Sequence, residues 1–247
     1  MEIHGVSAWR FIVSRLLWAA HFPGVFSFQA ASGFKLRLYP SCVSVGLWCD
    51  RKVYQRDEEE LGKHLRLGDT FIDVGANIGA LTLAASKIIG PNGLVLSFEP
   101  HPRTFKYLSG NIELNKIRNI KAFNVALGER ERTIGFTNKR CDDQNEIGGQ
   151  GVEVQVKTLD ACVPDRPVRL LKIDTEGFEL PVLQGATEVL KRTEMVYFEC
   201  RESHFAKHGY KTGDIFHFLK EHGFSVILPA HFDPDHCQNL LAVKANH

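Results

Sequence analysis

The 247-residue chain contains no C-x-x-C pair, no basic stripe, no apolar run of membrane-spanning length and no repeated or low-complexity tract. Each absence removes a class of protein. Its six cysteines (Cys42, Cys49, Cys141, Cys162, Cys200 and Cys237) are scattered. That argues against a disulfide scaffold or zinc module and for reduced thiols in a cytoplasmic protein. Phe11 to Ala20 is the most apolar stretch near the start, but Arg15 interrupts it. It is short of the ~20 residues a span requires, and no clean small-residue cleavage site follows. It reads as an amphipathic helix packing on the domain or a partner, with membrane-surface or targeting use as the alternative. Lys and Arg total 30 against 29 Asp and Glu, so nucleic acid is not an expected partner.

What remains is a chain that is 44% hydrophobic, enough for one α/β domain with an N-terminal extension. It is organised around Thr70-Phe71-Ile72-Asp73-Val74-Gly75-Ala76-Asn77-Ile78-Gly79. The Phe/Ile/Val run fits a buried strand, the glycines a sharp turn, and Ala80 to Ile89 an apolar helix. Strand, glycine turn and helix open a nucleotide-binding unit, with Gly75 and Gly79 allowing close backbone approach. The next strand, Leu94 to Glu99, ends in the carboxylate that such folds use to hold a ribose diol.

Two cofactor classes use this arrangement. A dinucleotide needs small residues at positions 75, 77 and 80 so that backbone can approach a diphosphate. Asn77 would crowd that diphosphate and Asp73 would repel it. The positively charged sulfonium of S-adenosylmethionine (SAM) tolerates the carboxylate, so SAM is expected over NAD. An NAD-dependent oxidoreductase and a non-catalytic SAM-binding interaction module stand as alternatives.

Asp73-Val74-Gly75-Ala76-Asn77-Ile78-Gly79 resembles motif I of the FkbM family of SAM-dependent methyltransferases. Phe98-Glu99-Pro100-His101-Pro102, Asn115, Ala126-Leu127-Gly128, Leu159-Asp160, Leu171 to Glu179 and Val182-Leu183-Gln184-Gly185-Ala186 follow in the family's order, over roughly residues 57–245. The resemblance implies a class I methyltransferase fold, a Rossmann-like three-layer sandwich with a mostly parallel seven-stranded sheet and an antiparallel last strand. It also implies methyl transfer to a hydroxyl, often on a sugar or polyketide. The expected division is an extension over 1–56, which packs on the core or covers the substrate side, and a methyltransferase domain over 57–247. The Asn/Asp-Pro-Pro-Tyr/Phe motif and the Pro-Cys pair of nucleic-acid methyltransferases are absent.

In the extension, Phe34 to Leu38 reads as a strand, paired with a second over Val43 to Leu47. Val182, Leu183, Ala186, Val189 and Leu190 make one helical stripe. The polar, glycine-rich loop over 139–151 reads as a lid or mobile binding loop.

Ligands in open α/β sheets bind beyond the carboxyl ends of the parallel strands. The expected cofactor contacts are therefore Asp73, Gly75, Ala76, Asn77, Gly79, Glu99, Pro100, Asn124, Ala126 and Asp174, with Asn124 and Ala126 serving either adenine or the loop itself. An alcohol needs a base as it attacks. Glu176 is the first candidate and His204 the second, with His231 and His236 further options. Asp174 positions cofactor or acceptor, and Glu199 with Arg201 shapes the acceptor pocket. Lys172 pairs with a neighbouring carboxylate. His204 and His208 are four apart but lack a His-Glu-x-x-His pattern, so no metal site is expected.

Overall fold

The computed structural model describes residues 2–3, 6–19, 26–139, 145–148 and 151–245, and within the first helix the side chains of 9, 10, 12–14 and 16 only. Residues 140–144, 149 and 150 of the glycine-rich loop, and Cys141 with them, lie outside the described residues. The central sheet has seven strands: β1 Thr70–Val74, β2 Leu94–Phe98, β3 Ile120–Phe123, β4 Val168–Ile173, β5 Thr193–Cys200, β6 Phe224–Ile227 and β7 Gln238–Lys244. Their spatial order is β6-β7-β5-β4-β1-β2-β3. The five strands from β5 to β3 run parallel, and β7 lies antiparallel between β5 and β6. Every residue of β1 is buried. A strand covered on both faces reads as a continuous apolar run rather than an alternating one.

Register decides where function can sit. Val74 pairs with both Phe98 and Ile173, and Ile173 pairs with Phe198. The four strands are thus in register at their carboxyl edge, and the next residues, Gly75, Glu99, Asp174 and Glu199 (the last still within β5, which runs on to Cys200), form a single row along it. This row spans β1, where the order of strands reverses and a crevice opens.

Two local expectations fail. Val43 to Leu47 is not a strand but part of a helix, Cys42–Cys49, capped by the Ser41 hydroxyl accepting from the Ser44 N–H. Its β-branched residues fit because Val43, Ser44 and Leu47 share a buried face. The partner of Lys35–Arg37 is instead Ser27–Gln29. Second, the stripe from Val182 to Leu190 is divided between two short helices, Glu179–Gln184 and Thr187–Lys191. Gly185 lies between them, packed so closely that an added Cβ would sit 2.0 Å from the Gly128 carbonyl oxygen. Asp160 caps the second helix by accepting from the Glu188 and Val189 N–H groups.

Phe28, Phe34, Leu36, Val43 and Leu47 pack with Ile78, Ala80 and Leu83, so residues before 56 cover the first glycine turn and its helix. Cys49, Cys162, Cys200 and Cys237 are free thiols. Cys42 is disulfide-bonded, which departs from the all-thiol expectation. Among the described residues no helix is long and apolar enough to cross a membrane.

Candidate functional site

Beyond the carboxyl edge lies a cleft. Its walls carry Gly75, Ala76, Asn77, Glu99, Pro100, Ala126, Asp174, Glu176 and Glu199, with apolar surface from Phe98, Val125, Leu127, Phe136 and Ile147. Val43 and Tyr54 from the front of the chain, and Asn145 from the edge of the glycine-rich loop, complete it. The structure therefore brings together most of the residues that the strand-end rule selects.

Backbone geometry builds the β1 side. Gly75 has φ +77, and a Cβ there would lie 1.8 Å from the Asp174 carbonyl oxygen, so only glycine lets the β1 turn pass the end of β4. Asn77 also takes positive φ, at 49°, a conformation asparagine tolerates, and its side-chain oxygen accepts from the Ile78 N–H at 2.7 Å. The Asn77 N–H then points at Glu99, whose Oε2 accepts it at 2.9 Å while Oε1 accepts the His101 N–H, also at 2.9 Å. Two backbone donors hold this buried carboxylate in one orientation at the cleft wall.

Three expected contacts are elsewhere. Asp73 is fully buried and absent from the cleft wall. Its Oδ2 accepts from the Thr82 hydroxyl at 2.5 Å, and its Oδ1 lies 3.1 Å from the Lys172 ammonium. Asn124 donates from its amide to the Glu99 and Pro100 carbonyls, clamping the turn after β2 rather than facing the cleft. Gly79 is also absent from the cleft wall, and Leu108 lies 2.5 Å from where a Cβ would be.

Lys172 also reaches the Gly75 carbonyl at 3.1 Å and Asp174 at 3.5 Å. Burial alone would lower its pKa, but Asp73 and Asp174 outweigh burial and raise it, so the ammonium stays charged. Among the described residues the cleft thus has four carboxylates, Glu99, Asp174, Glu176 and Glu199, against one lysine whose charge already answers Asp73. The site is electronegative.

On the β4–β5 side, Glu176 is held at positive φ, 56°, and Gly177 packs against the His204 carbonyl. His204 is buried with Nδ1 3.3 Å from Glu176 Oε2 and 3.6 Å from Glu199 Oε2. Its Nε2 is 3.1 Å from an Arg201 guanidinium nitrogen. Arginine can only donate, so Nε2 accepts and the ring proton is on Nδ1. Burial, then Arg201, lowers the His204 pKa. This neutral ring has no free basic nitrogen, which weakens the case for His204 as the base. Burial, then Asp174, raises the Glu199 pKa, and the Cys237 thiol donates to Glu199 Oε1 at 2.9 Å. Cys237 had no motif to announce it. His231 and His236 are exposed and away from the cleft wall.

A family model described as the methyltransferase FkbM domain matches residues 73–226. Methyltransferase 1 of Beauveria bassiana is 31% identical over 47% of this chain and 58% of its own. The 31-O-demethyl-FK506 methyltransferase FkbM of Streptomyces tacrolimicus is 26% identical over 67% of this chain and 76% of its own. The chain therefore spans less than two thirds of the first of these relatives. Among solved structures, methyltransferase FkbM from Methylobacillus flagellatus superposes with a TM-score of 0.50 at 15% identity, covering 95% of this chain and 59% of that one. At that identity the likeness speaks for the fold.

Proposed function

Since this chain belongs to the FkbM methyltransferase domain family, we propose that it transfers a methyl group from SAM to a hydroxyl on a saccharide or other small natural product. The observation that carries this reading is the cleft's charge. Among the described residues, four carboxylates against one already-paired lysine suit a sulfonium with an ammonium and repel a diphosphate. When bound, SAM supplies an electrophilic methyl on positively charged sulfur.

The Glu99 carboxylate, fixed by the Asn77 and His101 N–H groups, would hold the ribose diol. The Gly75 to Asn77 backbone and Asp174 would surround the methionine portion. Phe98, Val125, Ala126 and Leu127 supply apolar surface for the adenine. On the acceptor side, Glu176 would take the hydroxyl proton as attack proceeds, an effect worth about 10²–10⁴-fold. In-line placement of oxygen, methyl and sulfur supplies the rest.

The test is incubation of the intact chain with methyl-labelled SAM and a small-molecule extract. Label appearing on oxygen in a low-molecular-weight product supports the reading. Label confined to protein or nucleic acid, or hydride exchange with NAD in its place, contradicts it.

A further inference from the structure

We propose that Glu176, Glu199 and His204 form a binding site for a first-row divalent cation beside the acceptor end of the cleft. One ligand atom from each lies within 4.8 Å of the others. Metal–ligand bonds of ~2.1 Å put neighbouring donors ~3 Å and opposed donors ~4.2 Å apart, so a small side-chain adjustment closes the set.

The second observation is His204 itself. It is 9% exposed, and its Nδ1 points between the two carboxylates without forming an aligned hydrogen bond to either. The two carboxylates converge on this nitrogen, which is the arrangement a shared cation would take once the ring proton moves to Nε2. Asp174 adds a third carboxylate nearby, felt electrostatically by Glu199. One imidazole with carboxylates suits Mn²⁺, Fe²⁺ or Zn²⁺ better than Ca²⁺, which takes six to eight oxygens. Neither sequence spacing nor the His204/His208 pair announces the site, because it joins the loop after β4 to the end of β5 and the short helix Glu202–Phe205.

Arg201 is the resident competitor. It donates to Nε2, which keeps the ring proton on Nδ1. A cation on Nδ1 requires the proton on Nε2, so Arg201 must let go. Removing Arg201 therefore favours the ion, both by freeing the ring and by removing a positive charge.

The inference rests on the methyl-transfer reading and changes one part of it. With the ion present, Glu176 is a ligand rather than the base, and the acceptor hydroxyl is acidified by binding the ion through its oxygen. The O–H bond breaks with its proton leaving to solvent, the O–CH₃ bond forms, and the CH₃–S bond breaks to leave S-adenosylhomocysteine.

Titration of chelator-treated intact chain with Mn²⁺, following free ion by electron paramagnetic resonance, tests the site without turnover. One site is expected with Kd below about 100 μM. Glu199→Gln and His204→Gln should each weaken it at least about tenfold, and Arg201→Gln should tighten it. Melting curves establish that the variants fold, with Glu176→Gln replacing any that does not. No saturable uptake below about 1 mM, or uptake unchanged in the ligand variants, overturns the site. SAM binding measured on the same wild-type sample keeps the two readings apart. SAM bound without Mn²⁺ overturns the cation site alone, whereas Mn²⁺ bound without SAM supports the site and counts against the methyl-transfer reading.

Discussion

Replacing Lys172 by methionine strands the Asp73 carboxylate, which is fully buried and keeps the hydrogen bond from the Thr82 hydroxyl. Breaking one half of a buried pair costs about 3–5 kcal/mol. Urea denaturation of Lys172→Met should show a loss of that order, and adding Asp73→Asn should recover part of it. Full stability in the single variant would mean the pair carries no structural load. The same pair explains why Asp73 was misplaced from sequence. Its position at the end of β1 suggests a ligand contact, yet its partner is on β4, brought alongside by strand register. The place of Glu99 on the cleft wall was legible because it depends on local geometry, a strand end followed by Pro100. Glu179 was not. It is buried, with Oε1 accepting from Thr175 and Gly177 and with Tyr210 beside Oε2. Burial pushes its carboxyl from 4.5 up to about 7. The folded state then keeps a proton that the unfolded chain releases near pH 4.5. The associated stability is fully present below that pH and is lost as pH rises through about 7. Glu179→Gln should remove this slope, on the order of 3 kcal/mol between pH 5 and 8. An unchanged slope in that variant would place the titrating group elsewhere.

At the level of elements, β1, β2, β4 and β5 were readable because strands buried on both faces leave unbroken apolar runs between glycine turns. The helix at Cys42–Cys49 was not, since Val43-Ser44-Val45-Gly46-Leu47 favours a strand by residue type and its helix depends on the Ser41 cap and tertiary burial. The break at Gly185 was hidden for a different reason. The apolar spacing continues across it, while the cause is the Gly128 carbonyl from a distant loop. Gly185→Ala should therefore cost at least about 2 kcal/mol by chemical denaturation. Gly213→Ala, inside Thr212–Glu221 with open space around its Cβ, should instead gain about 0.5 kcal/mol. Equal effects would show that backbone freedom, not the close approach at Gly185, governs both.

Across the whole molecule, the mostly parallel sheet and its antiparallel last strand followed from the family resemblance, and the carboxyl edge followed from the general rule for such sheets. Charge balance in the cleft did not. Near-neutral composition concealed a local excess of carboxylates that exists only when Glu99, Asp174, Glu176 and Glu199 are set side by side by register. Val43 and Tyr54 were not legible as individual cleft residues, because the front of the chain carries no motif of its own, although the extension as a whole was expected to pack on the core or cover the substrate side.

Calorimetric titration of the intact chain with SAM and, separately, with NAD tests the cleft's preference most directly. The charge argument predicts saturable SAM binding, little or no NAD binding, and at least about tenfold weaker SAM affinity in a folded Glu99→Ala variant. NAD binding in preference to SAM, or SAM affinity indifferent to Glu99, would contradict it.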